Sequence, residues 1–204
     1  MACRLLFPTP LWTFSLPDEL NAERFATAIL ALRAETPQGI QLTNQGGWHS
    51  HTNLVEHQPL SDLFQWIAAC CQTALAEIGW DFSKARPCFN NAWAIVNGQG
   101  HSVRAHLHPN SLFSGVVYLQ AGPSCGNIAF LDPRNGAQML LPPLTPSSRS
   151  VLNGRVEQAP SEGLLLLFPA WLWHEVGCNN STQDRICVSF NIGMQSLLKN
   201  NAPQ

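Results

Sequence analysis

Three of the seven histidines in this 204-residue chain fall into a pattern that could hold a metal ion. Read as a β-strand, residues 103–108 (VRAHLH) alternate faces, so Arg104, His106 and His108 share one side and Val103, Ala105 and Leu107 the other. Two imidazoles at i and i+2 on one face can approach a single ion. A third, His174, alternates with Leu172 and Val176 in the run FPAWLWHEV. Arg185 follows eleven residues later, a spacing at which a hairpin sets an arginine on the strand beside the histidine. The final strand, 185–193 (RICVSFNIG), turns Arg185, Cys187, Ser189 and Asn191 to one face and Ile186, Val188, Phe190 and Ile192 to the other. Such a set suits a keto acid. The ion chelates its 2-oxo end and the guanidinium forks onto the far carboxylate.

The elements that must position these residues are mostly strands. Helical periodicity occurs at 18–34, which opens with Asp18 behind Pro17 and gathers Leu20, Phe25, Ile29, Leu30 and Leu32. It recurs at 61–79, with Ser61 or Asp62 as cap and Gly79 as the stop. From Pro87 onward short apolar runs alternate with turn residues. Strands are predicted at 91–97, 103–108, 113–120, 126–131, 137–141, 151–158, 163–168, 172–176 and 185–193. Turns at Asn97-Gly98, Asn135-Gly136, Asn153-Gly154 and Glu162-Gly163 separate several of them. The expectation is one domain over 1–204, mainly β, a sandwich with core strands over about 87–194 and two helices on one sheet. An amino-terminal strand should join it. The polar inner face then lines a pocket while the helices cover the apolar outer face.

Composition narrows the function classes. The chain is 45% hydrophobic and 12% charged, with a formal charge of -2. No basic run offers phosphate neutralisation, so nucleic acid is not an expected partner. Apolar runs such as Leu164–Phe168 fall far short of the ~20 residues of a membrane helix, and the amino terminus does not read as a signal peptide. Seven cysteines without a CxxC pair read as reduced, mostly buried thiols in a cytoplasmic protein.

Several residues have competing readings. His49-Ser50-His51 with His57 is a rival histidine cluster, but it lies in a glycine-rich stretch with no apolar strand around it. It reads better as a substrate-facing loop in which Trp48 and Ser50 make contacts. His101 reads as a turn residue, and Trp171 and Trp173 as packing. Arg134 in the DPR run at 132–134 could end a strand or meet an acidic substrate at the pocket mouth.

HLHPNSLFSGVVYL, the DPR run, GLLLLFPAWLWHEV and RICVSFN resemble the 2-oxoglutarate- and Fe(II)-dependent oxygenases of the double-stranded β-helix (jelly-roll, cupin-like) fold. LTNQGGWHSHTNL resembles that family's leading motif, so the likeness spans about residues 5–194. The resemblance implies an oxidoreductase, a dioxygenase using Fe(II), 2-oxoglutarate and O2 and releasing succinate and CO2. His106 then matches the first iron ligand, His174 the distal one, and Arg185 the partner of the far carboxylate. Ser189 or Tyr118 could add a hydrogen bond to the cosubstrate. The chain departs from the family at His108, where most members carry Asp. Either the site is three-His, or His108 stands beside a two-His site and contacts substrate or cosubstrate.

Two alternatives remain at this stage: a cupin-type three-His enzyme that does not use 2-oxoglutarate, and a non-catalytic metal-binding module. The substrate class expected is a small molecule or a peptidyl side chain. The stretches 44–57 and 131–150 should build the mouth, and the aromatic-rich amino terminus leaves room for a homodimer.

Overall fold

The computed structural model describes residue 2, residues 4–134, residue 143 and residues 154–197. Helix α1 (Ala22–Glu35) starts later than the sequence pattern suggests. Asn21, not Asp18, is its cap, and its side chain accepts from the Arg24 N–H at 3.1 Å. Pro17 to Leu20 instead close a turn, with the Leu20 N–H on the Pro17 carbonyl at 2.9 Å. Helix α2 (Ser61–Glu77) follows a 3-10 turn over Gln58–Leu60, so Ser61 is its first residue rather than a side-chain cap. Gly79, at φ +78°, ends it as expected, and the Trp80 N–H reaches back to the Leu75 carbonyl.

Eleven strands are present among the described residues: β1 (Trp12–Ser15), β2 (Asn44–Gln45), β3 (Trp48–His49), β4 (Ala85–Asn97), β5 (Ser102–His106), β6 (Phe113–Gln120), β7 (Ile128–Leu131), β8 (Arg155–Gln158), β9 (Leu164–Pro169), β10 (His174–Val176) and β11 (Arg185–Ser196). The expected strand at 137–141, and residues 151–153 of another, lie outside the described residues. The larger sheet has the order β1-β9-β6-β11-β4-β3 and the smaller β2-β5-β10-β7-β8. From β4 to β11 the chain passes back and forth between the two sheets, with β4, β11, β6 and β9 in one and β5, β10, β7 and β8 in the other. That interleaving is a double-stranded β-helix.

Strand alternation divides two cores. Ile186, Val188, Phe190 and Ile192 of β11 lie with Ala92, Ala94 and Val96 of β4 beneath the helices, against Phe25, Ile29, Leu63 and Ile67. Their alternating neighbours Cys187, Trp93 and Ile95 face the interior between the sheets, with Tyr118, Phe130 and Phe168. The continuous run Leu164–Phe168 now has a reason. Leu165 and Leu167 of β9 serve the helix-side core, while Leu166 and Phe168 serve the inter-sheet core.

One feature of β5 overturns its simple alternation. His106 pairs with His174 and Val103 with Val176, so three residues of β5 span two of β10. This bulge brings Val103 onto the cavity face with His106 and leaves Arg104 exposed, rather than beside the histidines.

Candidate metal centre

His106, His108 and His174 converge at one end of the inter-sheet cavity. Each offers a ring nitrogen, and these atoms lie within 4.8 Å of one another. Ring centroids are 4.3 Å apart for His106 and His174, 4.9 Å for His106 and His108, and 5.1 Å for His108 and His174. β5 ends at His106, so His108 is held from outside the sheet. Its backbone N–H donates to the Ala170 carbonyl at 2.9 Å.

The rings are set for metal by their second nitrogens. His106 Nδ1 meets the Arg104 carbonyl at 2.7 Å and His174 Nδ1 the Leu172 carbonyl at 2.8 Å. A carbonyl only accepts, so both Nδ1 atoms carry the proton and each Nε2 keeps a lone pair. Burial holds His106 below the ordinary histidine range. Burial, then the neighbouring His106, pushes His108 down to about 4. Burial, again followed by His106, pushes His174 to about 3. Three neutral imidazoles around one point therefore fit a borderline divalent cation such as Fe(II).

Arg185, 2% exposed, lies at the other end of the cavity, and not on a strand beside His174 as the eleven-residue spacing suggests: β10 pairs with β5 and β7, while β11 crosses to the opposite sheet between β4 and β6. Its Nη1 donates to the carbonyls of Cys125 and, at 3.1 Å, Gly126. Gly126 permits this approach. It sits at φ +91°, and a Cβ there would lie 2.8 Å from Nη1 and 2.2 Å from the Gly177 carbonyl oxygen. None of the ion pairs among the described residues involves Arg185. A buried cation without a carboxylate is costly and favours an anion in the cavity.

Between these ends the wall comes from β11 and its neighbours. Cys187 pairs with Tyr118 and Ile95, and Ser189 with Val116 and Trp93. Arg185 and Ser189 are four residues apart, about 13 Å of strand. Burial keeps the Tyr118 phenol protonated and raises the Cys187 thiol to about 11, so both are neutral hydrogen-bonding groups. Ser189 and Tyr118 thus lie in the same cavity as Arg185 and the three histidines.

Other candidates go elsewhere. Trp48 is buried in the helix-side core and its Nε1 donates to the Thr36 carbonyl at 2.7 Å. Ser50 Oγ accepts from the Ala94 N–H at 2.9 Å and donates to the His51 carbonyl at 2.7 Å. Trp48 is thus turned toward the end of α1 and Ser50 is tied to β4, and neither is among the residues that line the cavity. Arg134 is exposed and forks onto Asp132, away from the cavity lining. His101 closes the turn after β4, its Nδ1 accepting from the Gly98 N–H at 3.0 Å. The expected mouth segment at 135–142 and 144–150 lies outside the described residues.

One histidine of the rival cluster lies behind the cavity wall, and one cavity residue is not singled out by the sequence reading. His49 stacks on Trp93 at 5.7 Å and 6°, and Trp93 in turn meets His108 at 5.5 Å. Asn97 lines the cavity directly opposite Arg185 in the β4–β11 register. Strand alternation through Trp93, Ile95 and Asn97 carried that signal, but the Asn-Gly pair reads as a turn.

Residues 91–191, about half of the chain, match the family model described as "Putative 2OG-Fe(II) oxygenase". No curated protein matches. Among solved structures, a prolyl-4-hydroxylase from Pseudomonas putida is similar at 18% identity and a TM-score of 0.58, covering 90% of this chain and 91% of that one. HygX from Streptomyces hygroscopicus, with nickel, 2-oxoglutarate and hygromycin B bound, is similar at 13% identity and a TM-score of 0.61, over 91% and 83%. A viral collagen prolyl hydroxylase from Paramecium bursaria Chlorella virus-1, in complex with 2-oxoglutarate, is similar at 12% identity and a TM-score of 0.56, over 89% and 94%. At these identities the structural likeness carries the fold.

Proposed function

This chain belongs to the 2-oxoglutarate- and Fe(II)-dependent oxygenase family, and we propose that His106, His108 and His174 hold the iron while Arg185 binds the far carboxylate of 2-oxoglutarate. One observation carries the assignment of roles. A buried guanidinium with no carboxylate partner among the described residues and three neutral imidazoles share a single cavity. A three-His centre that did not use a dicarboxylate would leave the Arg185 guanidinium with only the Cys125 and Gly126 carbonyls.

Fe(II) bound there supplies the oxidative chemistry: 2-oxoglutarate, O2 and a C–H bond become succinate, CO2 and a C–OH bond, one oxygen atom going to succinate and one to product. The protein's own share is placement. The Arg104 and Leu172 carbonyls fix the His106 and His174 tautomers and ring directions. Arg185 fixes the depth and direction of the keto acid, with Tyr118 or Ser189 as an added hydrogen-bonding partner. Phe130, Phe168 and Trp93 wall the site and exclude bulk water from the reacting groups.

The substrate we propose is a small molecule or a peptidyl side chain, entering over the His108 side of the cavity. The described residues contain no helix long and apolar enough to cross a membrane. The six described cysteines are all free thiols, which supports our proposal of a reducing, cytoplasmic setting. The exposed Leu5, Leu6 and Phe7 support a homodimer through the amino terminus. The whole chain, 1–204, is read as one oxygenase domain.

The test is turnover of 2-oxoglutarate under O2 with added Fe(II), followed as succinate. Wild-type protein should form succinate, and His174→Ala should not. Equal succinate from His174→Ala would remove that residue from the metal site.

A further inference from the structure

A polar side chain without a partner lies beside Arg185. Asn97 ends β4, is 0% exposed, and faces Arg185 directly across the β4–β11 pair. Among the described residues neither its Nδ2 nor its Oδ1 has a hydrogen-bond partner. The backbone around it is held firmly. Asn179 Nδ2 donates to the Asn97 carbonyl at 2.8 Å and to the Gln183 carbonyl at 2.8 Å. Buried amides are seldom left in this state, and one that is asks for a ligand.

The two ends of the amide differ. Gly47 lies against Oδ1: a Cβ on it would fall 2.3 Å from that oxygen. A Cα–H of Gly47 therefore faces the oxygen and gives it a weak donor. Nδ2 is the group still in want of an acceptor. Val103, Ile128 and Val176, which line the cavity, can supply none from their side chains, and the Thr43 side chain, which also lines it, makes no hydrogen bond to the amide.

We infer that Asn97 Nδ2 is the second donor to the far carboxylate of the 2-oxo acid, one carboxylate oxygen accepting from Arg185 and the other from Asn97. This rests on the proposed use of 2-oxoglutarate and adds a reason for selecting a dicarboxylate. A 2-oxo acid ending in methyl leaves both the guanidinium and the amide unpaired, whereas 2-oxoglutarate answers both.

The test is calorimetric binding of 2-oxoglutarate and of 2-oxopentanoate, which keeps the keto-acid end and lacks the far carboxylate. Zn(II)-loaded protein avoids turnover. Asn97→Ala should weaken 2-oxoglutarate by about tenfold to a hundredfold and leave 2-oxopentanoate within about twofold. Asn97→Asp, which sets a carboxylate beside Arg185, should lose 2-oxoglutarate more completely. Unchanged 2-oxoglutarate affinity in Asn97→Ala, or equal weakening of both acids, would overturn the inference. If wild-type protein binds no 2-oxoglutarate, the proposed cosubstrate falls and this contact with it. If wild type binds and both variants match it, the contact alone falls. Should the variants not fold, the Asn97 side-chain amide resonance of the unsubstituted protein serves instead. It should move with 2-oxoglutarate and not with 2-oxopentanoate, and a resonance that stays put would overturn the assignment.

Discussion

His106 and His174 face each other across the β5–β10 pair with ring centroids 4.3 Å apart, and each gives its Nδ1 proton to the carbonyl two residues before it. The same local device thus fixes both rings from two different strands. It leaves two Nε2 lone pairs directed by backbone, not by flexible side chains. His108 completes the group from beyond the strand end, tied by its own N–H to Ala170.

His108 tests whether the third position is a ligand. His108→Asp restores the carboxylate common in the family and should keep Fe(II) binding, whereas His108→Leu should weaken it more than the about 10–100-fold typical of outer-sphere partners. Equilibrium Fe(II) binding under anaerobic conditions reads both. Equal affinity in wild type and His108→Leu would place His108 outside the metal's reach.

Acid should destabilise the metal-free protein through the same rings. All three histidines are depressed in the folded state, so the unfolded chain takes up protons first as pH falls below 6.5. Stability is present above that value and is lost on going down toward about 4 for His108 and about 3 for His174. The loss is up to about 1.4 kcal/mol per histidine per pH unit within the window. Urea unfolding of apo wild type and of His174→Phe at pH 7 and pH 5 measures it. The pH dependence should be shallower in the variant.

Arg185 should control cosubstrate-linked stability. A ligand that binds only the folded state raises the melting temperature in step with its concentration over Kd. Millimolar 2-oxoglutarate with Zn(II) should raise the melting temperature of wild type. In Arg185→Ala the increment due to 2-oxoglutarate should vanish, while the increment due to Zn(II) alone remains.

Gly126 links packing to the pocket. Gly126→Ala would force a Cβ against the Gly177 carbonyl and the Arg185 guanidinium at a φ that side chains avoid. Gly115→Ala is a useful comparison: Gly115 lines the cavity with its backbone, but its Cβ would meet the Phe190 ring at 2.2 Å on the helix side of the sheet. Each should cost about 1–3 kcal/mol or more by overpacking. Only Gly126→Ala should also weaken 2-oxoglutarate binding in the protein that remains folded.

Period-two alternation makes much of this legible in the sequence alone. It separates Ile186, Val188, Phe190 and Ile192 from Arg185, Cys187 and Ser189, and those two sets occupy the helix-side core and the cavity wall. Helix α2 is legible for a similar reason, since Leu63, Ile67, Cys70 and Ala74 keep one face. The bulge in β5 is not, because an extra residue leaves no mark in composition, and simple alternation sets Arg104 with the histidines. Strands β2 and β3 are two residues each and owe their existence to pairing with β5 and β4, not to local apolar pattern. That is why the sequence around Trp48 and Ser50 reads as a loop. Asn97 is the last residue of the strand read at 91–97, and β4 ends there; what alternation does not carry is that its buried amide finds no partner among the described residues.

The most direct measurement is an anaerobic titration of metal-free protein with Fe(II) and then 2-oxoglutarate, watching for the weak visible charge-transfer band of the chelated keto acid. The band should appear for wild type and be absent from His106→Ala and Arg185→Ala at the same concentrations. Fe(II) binding without the band, or no Fe(II) binding at all, would contradict a shared site for the metal and the keto acid.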